Sequence, residues 1–128
     1  MAYTIDRSFP GATLAEIEPR TRAALSAQGF GVLTDIDIAA TMKAKLGEVI
    51  PGYRILGACN PRLALGAIGS EPRVGTMLPC NVILREVPGG VDVSAIDPVA
   101  SMLAIDNPAL KTVAAQVRDL LAKAVAAI

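Results

Sequence analysis

The sequence of 128 residues contains no histidine and no tryptophan, and aromatic residues make up only 3% of it. Without histidine, the chain cannot build a Cys-His pair, a Ser-His-Asp triad or a zinc site that needs imidazole. So few aromatic rings cannot form the stacking platform on which proteins bind single-stranded nucleic acid. These absences exclude the commonest hydrolytic sites and count against nucleic-acid binding.

The net charge of the chain is zero, because 12 basic residues balance 12 acidic ones. No run of lysine and arginine provides the positive face that attracts nucleic acid or anionic lipid. The longest stretch without a charged residue, Ala23 to Thr34, is shorter than the roughly 18–20 apolar residues of a membrane span. The N-terminal residues lack the charged-then-apolar order of a signal peptide. We therefore expect a cytoplasmic protein with reduced cysteines that binds neither nucleic acid nor membrane.

The length of the chain is typical of one domain, so residues 1–128 are predicted to form a single domain. Hydrophobic residues make up 52% of the sequence, a high share for a small soluble domain. A homodimer would cover the apolar side chains that do not fit into the core, and two-fold dimers are the commonest assemblies. The alternative is a well-packed monomer rich in alanine.

Signals for the start of a helix recur along the chain. Asn60-Pro61, Asp97-Pro98 and Asn107-Pro108 each place a capping side chain before a proline at the first helical position. Thr13 and Glu16 have the spacing of a capping box. The predicted helices begin at Thr13, span Ile38–Leu46, follow Asn60 as far as Gly69, span Pro98–Ile105 and run from Pro108 to about Ala127.

Alternation of apolar and polar residues predicts the strands, and Pro88–Gly90 predicts a hairpin turn. The second strand is predicted to turn Thr34 and Ile36 inward, and the third helix to turn Leu65 and Ile68 inward. The predicted strands cover residues 3–9, 30–36, 53–59 and 91–96, with a strand-rich stretch at 74–87. Because the later strands are joined by a hairpin and short pieces, the fold class is α+β, with an antiparallel sheet and helices packed on one face.

Each cysteine lies at the end of a predicted element and precedes an asparagine. Cys59 ends the third strand, directly before the helix that Asn60 caps, and Cys80-Asn81 begins a later strand. If these strands pair antiparallel, both cysteines lie at the same end of the sheet and face one pocket. Because a helix N-terminus carries a partial positive charge, a thiol near it can have a lowered pKa and react more readily.

The sequence thus predicts a thiol site for binding or redox exchange, whose ligand is a soft metal such as Cu(I), a sulfur species or another small ligand. The candidate binding residues are Cys59, Asn60, Cys80, Asn81 and Arg54, and the metal ligands would be Cys59 and Cys80. No cofactor can be named. The alternative is that both cysteines pack as small buried hydrophobes and that the protein is a dimeric structural or partner-binding module.

Carboxylates support a third hypothesis, a hydrolytic or acid–base enzyme, only weakly. It would depend on Asp35, Asp37 and Asp97, but the last two are explained as helix caps. No nucleophile–base pair can be named, so the sequence does not decide whether the protein is an enzyme. The methionines share no spacing and are interpreted as core filler, namely Met42, Met77 and Met102.

The segments Tyr53–Pro61, Leu78–Val82 and Ser94–Pro98 resemble the family catalogued as domain of unknown function 302. The likeness extends over nearly the whole chain and includes Gly29–Leu33 and the helix end at Leu46-Gly47. The resemblance implies an α+β domain of the TATA-box-binding-protein-like topology, β-α-β(4)-α, in a dimeric bacterial or archaeal protein. It implies no activity, and the fold likeness does not imply DNA binding, because a fold does not carry a function.

Overall fold

Strands and helices alternate along most of the chain before a hairpin and a long final helix. The computed structural model describes residues 2–128. The strands are β1 Thr4–Pro10, β2 Gly31–Asp37, β3 Tyr53–Cys59, β4 Cys80–Val87 and β5 Gly90–Ile96. The helices are α1 Leu14–Ala27, α2 Ile38–Leu46, α3 Pro61–Ser70, α4 Pro98–Ser101 and α5 Pro108–Ala126, with a 3₁₀ helix at Pro72–Met77. Among the described residues, no helix combines the length and the apolar character needed to cross a bilayer.

The five strands form one antiparallel sheet in the order β1-β5-β4-β3-β2. A tight turn through Pro88 and Gly89 joins β4 to β5, and the φ angle of 81° at Gly89 lies in the region that favours glycine. Helices α1 and α5 pack against one face. The predicted α+β class with an antiparallel sheet is confirmed. The long elements follow the order β-α-β(4)-α once the short helices are set aside, and the likeness to TATA-box-binding proteins stays a prediction.

The predicted helix starts carry the expected capping bonds. The side chains of Thr13, Asp37, Asn60, Asp97 and Asn107 each accept a hydrogen bond from a backbone N–H two or three residues later. Each bond satisfies one of the donors that helix geometry leaves free, and its loss typically costs about 1 kcal/mol. The local sequence therefore sets where these helices begin.

Two groups of buried side chains make up the interior. The larger group lies between the sheet and helices α1 and α5, and Ile17, Leu56 and Leu121 within it have no exposed surface. Burying each such side chain contributes roughly 1.5–3 kcal/mol. The smaller group joins α3, the 3₁₀ helix, the end of α4 and the start of α5, and consists of Ala67, Val74, Met102, Leu110 and Ala114. Helix α5 contributes to both groups and so links them.

Strand β2 departs from the regular alternation predicted for it. Its pairing with β3 shifts between Val32 and Thr34, which leaves Leu33 as an extra residue. One extra residue reverses the two faces of the strand beyond it. Thr34 and Ile36, predicted to point inward, are exposed instead. The prediction was wrong because a single inserted residue leaves no trace in a pattern of period two.

Three other predicted elements also differ in detail. The stretch Val74–Val87 was predicted to be rich in strand with an interruption at Pro79, but its first part lies in the 3₁₀ helix, and β4 begins only after Pro79. Leu65 and Ile68 of α3 are 73% and 45% exposed, because this helix turns Ala67 towards the interior. Helix α4 stops at Ser101, about one turn before the predicted end. In each case the element is present, but its bounds or its buried face differ from the prediction.

Candidate functional site

The two cysteines lie at the same end of the sheet. Cys59 is the last residue of β3, and Cys80 is the first residue of β4. Because these strands pair antiparallel, Cys80 stands opposite Ala58, the residue next to Cys59. The pairing of β3 with β4 therefore brings two cysteines that are far apart along the chain to the same end of the sheet.

Both cysteines line one cavity of about 30 Å³. A space of this size has room for one or two atoms the size of a water molecule. The cavity lies where the two groups of buried side chains meet, since Phe30 of the larger group and Leu110 of the smaller group both line it. Among the described residues in its wall, only Asn60 has a nitrogen or oxygen atom in its side chain. The cavity is therefore an apolar space bordered by sulfur.

The amide group of Asn60 already has partners within the chain. Its oxygen accepts the backbone N–H of Leu63 at 3.4 Å, and its nitrogen donates to the carbonyl oxygen of Gln28 at 3.5 Å. These two bonds cap α3 and tie the end of β3 to the end of α1. Asn60 thus fixes the direction in which the chain leaves Cys59, and it acts as a positioning residue rather than as a free ligand.

Gly57 allows the chain before Cys80 to approach β3 closely. A Cβ atom at this position would lie 2.7 Å from Cγ of Pro79 and would also collide with Oγ1 of Thr34. A side chain at position 57 would therefore have to displace one or both neighbours. The glycine lets Pro79 pack against β3, and this contact positions Cys80 at the start of β4.

The two thiols differ in exposure and in protonation. Cys80 is 6% exposed, whereas Cys59 is half-buried. Burial, with a smaller contribution from the charge of Cys59, raises the pKa of Cys80 from 9.0 to about 11. Cys80 is therefore a neutral thiol at pH 7. The two thiols are close enough to interact electrostatically.

Two of the predicted site residues lie outside the cavity. Asn81 is exposed and does not line it. Arg54 lies near the opposite end of β3, where it forms ion pairs with Asp35, Asp37 and Glu18 at 2.8, 3.3 and 3.8 Å. Its hydrogen bond to Asp35, helped by the three negative charges, raises the pKa of Arg54. The structure thus separates Arg54 and Asn81 from the cysteines, and only Asn60 stays beside them.

The carboxylates considered for acid–base chemistry are engaged in structural contacts. Asp35 also pairs with Arg22 at 2.6 Å. Asp97 caps α4 and pairs with Arg118 at 2.9 Å. Within residues 2–128, no group of three or more histidine, cysteine, aspartate or glutamate side chains is placed to hold a metal ion. These contacts give the acid–base hypothesis no support.

Met102 is the cavity residue that the sequence interpretation missed. It is 6% exposed and lines the same cavity as both cysteines. Its backbone N–H donates to the carbonyl oxygen of Pro98 at 3.1 Å, in the turn that ends α4. Met77, which was interpreted in the same way, is 40% exposed and lies outside the cavity. No spacing in the sequence distinguishes these two methionines, because only the packing of α5 against α3 and α4 brings Met102 to the cysteines.

A family model described as domain of unknown function DUF302 matches residues 5–128. The chain belongs to the DUF302 family. The resemblance predicted from the sequence motifs is confirmed. No curated protein matches this DUF302 chain.

The fold of this DUF302 chain is similar to that of a solved family member. The crystal structure of an uncharacterized conserved DUF302 protein from Bacillus stearothermophilus matches it with a TM-score of 0.91 and 24% sequence identity, covering 98% of each chain. At this level of identity the similarity concerns the fold alone.

Proposed function

We propose that this protein is a thiol-based binding and redox module in which Cys59 and Cys80 act together on a soft metal ion or a sulfur species. The observation that carries the proposal is that both cysteines line one small apolar cavity. Thiolate sulfur selects soft metals, and it is also the nucleophile of disulfide and persulfide chemistry. The volume of the cavity favours an occupant of one or two atoms, because organic ligands usually occupy pockets of roughly 300–1,000 Å³.

The unequal exposure of the two thiols supports separate roles for them. Cys59 is half-buried, so a species arriving from solvent meets it first. Cys80 is buried and its pKa is about 11, so it keeps its proton at pH 7 until a bound species displaces it. In the proposed order, a soft metal ion binds first to Cys59, and Cys80 then loses its proton and becomes the second ligand. A sulfane sulfur is instead transferred when the thiolate of Cys59 attacks it, which forms a persulfide on Cys59 and releases the donor as its anion.

The proposal includes the reducing cytoplasm of a bacterial or archaeal cell as the place of action. Free thiols persist in that compartment, and both cysteines of this chain are free. The balanced charge and the scarcity of aromatic residues give no reason to propose a nucleic acid as partner.

Thiol titration of cysteine variants tests the proposal. In the folded wild-type protein we expect one thiol to react quickly with a labelling reagent and the other slowly. Uptake of a soft metal or of sulfane sulfur should weaken in Cys59→Ser and in Cys80→Ser and disappear in the double variant. Asn81→Ser, beside Cys80 but outside the cavity, is the matched control and should behave as wild type. Resistance of both thiols to labelling until the protein unfolds, without any uptake, would contradict the proposal.

The sheet face without α1 and α5 favours a second candidate, a dimeric structural or partner-binding module. Ile36, Ile55 and Ile83 stand side by side across three strands there, and Ile36 is 43% exposed. Apolar side chains in a contiguous row are typical of surfaces that become buried on association. Light scattering at micromolar concentration should then give the mass of a dimer, and Ile83→Lys should reduce it to that of a monomer. A strictly monomeric wild-type protein without an associating partner would argue against this candidate.

A further inference from the structure

A polar cleft lies on the uncovered face of the sheet, the face opposite α1 and α5. Its volume is about 730 Å³, within the roughly 300–1,000 Å³ of pockets that hold small organic molecules. Strands β1, β4 and β5 provide most of its lining, and both tyrosines of the chain, Tyr3 and Tyr53, line it as well. Neither cysteine belongs to it. The cleft is therefore a second concave surface, separate from the cavity at Cys59 and Cys80.

Ser94 of β5 lies at the bottom of this cleft. Its neighbours in the strand, Val93 and Ala95, have no exposed surface and face the helices, so Ser94 points to the uncovered side. Asp6 and Ile83 stand directly opposite it on the two adjacent strands, and Ser94 is only 9% exposed. Its side chain is thus recessed between longer ones.

The hydroxyl group of Ser94 is available to a ligand. Within residues 2–128 it has no hydrogen-bond partner, although polar groups that are this deeply buried usually have one. Among the same residues, no fully inaccessible oxygen or nitrogen atom of a side chain lacks a partner. The hydroxyl oxygen therefore still reaches the space of the cleft, where a bound group can donate to it.

Four oxygen-bearing side chains form a block at this position. In the pairing of β1 with β5, Asp6 stands opposite Ser94, and Ser8 stands opposite Asp92. Because residues two apart on a strand share a face, all four lie on the uncovered side. The Cβ atoms of opposite residues are about 4.5–5.5 Å apart, and those of diagonal residues such as Asp6 and Asp92 about 7–8 Å. The strand register therefore places both carboxylates next to Ser94, within reach of one small group.

The charged side chains that face the cleft carry an excess of one negative charge. Asp92 pairs with Arg85 at 3.5 Å. Asp6 accepts the hydroxyl group of Thr4 at 3.1 Å, and no ion pair within residues 2–128 includes it. The guanidinium group of Arg7 is directed to the other side of the sheet, where it donates to carbonyl oxygens at the end of α5. Two carboxylates against one guanidinium attract a cation and repel an anion.

The same side chains favour an ammonium group over a metal ion. Ca²⁺ takes 6–8 oxygen ligands, and within residues 2–128 no three carboxylates are grouped to hold a metal. A primary ammonium group has three donors and no acceptor. Asp6, Asp92 and Ser94 offer one acceptor group for each donor. Beside them, Ile83 and the ring of Tyr53 provide apolar surface for the rest of a small molecule.

We propose that this cleft binds a small primary amine whose ammonium group donates to Asp6, Asp92 and Ser94. The apolar body of the amine then lies along Ile83 towards Tyr53. A bound cation also offsets the repulsion between the two diagonal carboxylates. The proposal goes beyond the thiol function and does not rest on it, because the two sites share no residue.

Titration with phenethylamine, followed by protein NMR of the backbone amide signals, tests the proposal. Phenethyl alcohol is the matched control ligand, because it has the same apolar body without the charge. We expect the amine to shift the signals of residues 4–8 and 92–94 in a saturable manner. The alcohol should bind at least about tenfold more weakly, since hydrogen bonds to charged groups are the stronger ones. Added salt should weaken the binding of the amine.

Two substitutions each remove one binding group and nearly conserve the shape of the side chain. Asp6→Asn should weaken the binding of phenethylamine at least about tenfold, and Ser94→Ala at least about fivefold. Asp119→Asn is the matched control, because it removes an exposed carboxylate of α5 and changes the net charge equally. It should keep the wild-type affinity. Circular dichroism and thermal unfolding establish that each variant is folded.

Three results would overturn the proposal. Equal affinity of wild type, Asp6→Asn and Ser94→Ala for the amine would mean that it is attracted only by the general charge of the surface. Equal binding of the amine and the alcohol would mean that the cleft selects the apolar body and not the ammonium group. Signals that neither ligand shifts would show that the cleft holds no amine, as expected if a second copy of the chain covers this face. None of these results would contradict the thiol function.

Discussion

The two ends of strand β3 present opposite chemistries. At one end, Arg54 forms ion pairs with three carboxylates, and these charged groups satisfy one another at the surface. At the other end, Cys59 borders an apolar cavity that Cys80 and Met102 also line, and the one side-chain amide in its wall is already bonded. The difference shows why a charged residue near a cysteine in the sequence need not belong to its site. A ligand is expected at the end where reactive groups share a space, and not at the end where opposite charges have already paired.

The largest effect should come from placing a charge at the apolar end. Cys80→Asp would bury a carboxylate beside the cavity, whose wall offers no cation to stabilise it. We expect the free energy of unfolding at pH 7 to fall by about 3 kcal/mol or more, measured by urea denaturation. The matched control is Asn81→Asp. The side chain of Asn81, next to Cys80 in the sequence, is exposed, so this substitution should change the free energy of unfolding by no more than about 0.5 kcal/mol. If both variants lost the same free energy of unfolding, a charge at the cavity would cost no more than a charge at the exposed position, which would contradict the prediction.

A smaller effect should appear on raising the pH. The pKa of Cys80 is raised in the folded state from 9.0 to about 11, so below pH 9 the thiol is protonated in both states and adds no pH dependence. Between these two values the unfolded chain loses its proton first, and stability falls as the pH rises, by up to about 2–3 kcal/mol.

Urea denaturation of wild type and Cys80→Ala at pH 8 and pH 11 isolates this contribution, because the other titrating groups are common to both proteins. Wild type should lose more stability than Cys80→Ala between the two pH values. The same alkaline loss in both proteins would mean that burial does not hold the proton on Cys80.

The smallest of the three effects should come from the charged end. Arg54→Gln removes three partly exposed ion pairs, each of a kind that contributes about 0.2–1 kcal/mol, so we expect a loss of about 1 kcal/mol that shrinks as salt is added. Metal uptake at the cysteines should not change. Arg73→Gln serves as the control, because its side chain is 91% exposed and its pair with Glu71 should contribute almost nothing. Loss of metal uptake in Arg54→Gln would mean that Arg54 contributes to the metal site after all.

Much of the fold could be predicted because its signals are local. A capping side chain before a proline, as in Asn60-Pro61, sets the start of a helix within a few residues of sequence. The hairpin through Pro88 and Gly89 is local in the same sense. The bulge at Leu33 could not be predicted, because whether a residue stays unpaired depends on how β2 pairs with the neighbouring strand β3. Local rules therefore predicted the elements, and the pairing between elements decided which way their side chains face.

The candidate site was predictable only in part for a related reason. The meeting of Cys59 and Cys80 follows from the order of two antiparallel strands, so the sequence could indicate it. Met102 reaches the cavity because α5 packs against both α4 and α3, and α3 is distant in the sequence, so no spacing records such contacts. Arg54 was assigned to the site because it precedes Cys59 on the same strand. An extended strand rises about 3.3 Å per residue, so residues at opposite ends of it lie far apart in space.

The extra residue in β2 has a consequence for how copies of this protein can meet. Strand β2 is one border of the sheet, and a second molecule could add a strand only along an uninterrupted row of backbone groups. Leu33 interrupts that row, and the carboxylates of Asp35 and Asp37 follow it. At the other border, β1 ends in Pro10, which has no N–H to offer. Growth into a continuous fibril by strand addition is therefore hindered at both borders, which leaves the broad face of the sheet as the easier route for self-association.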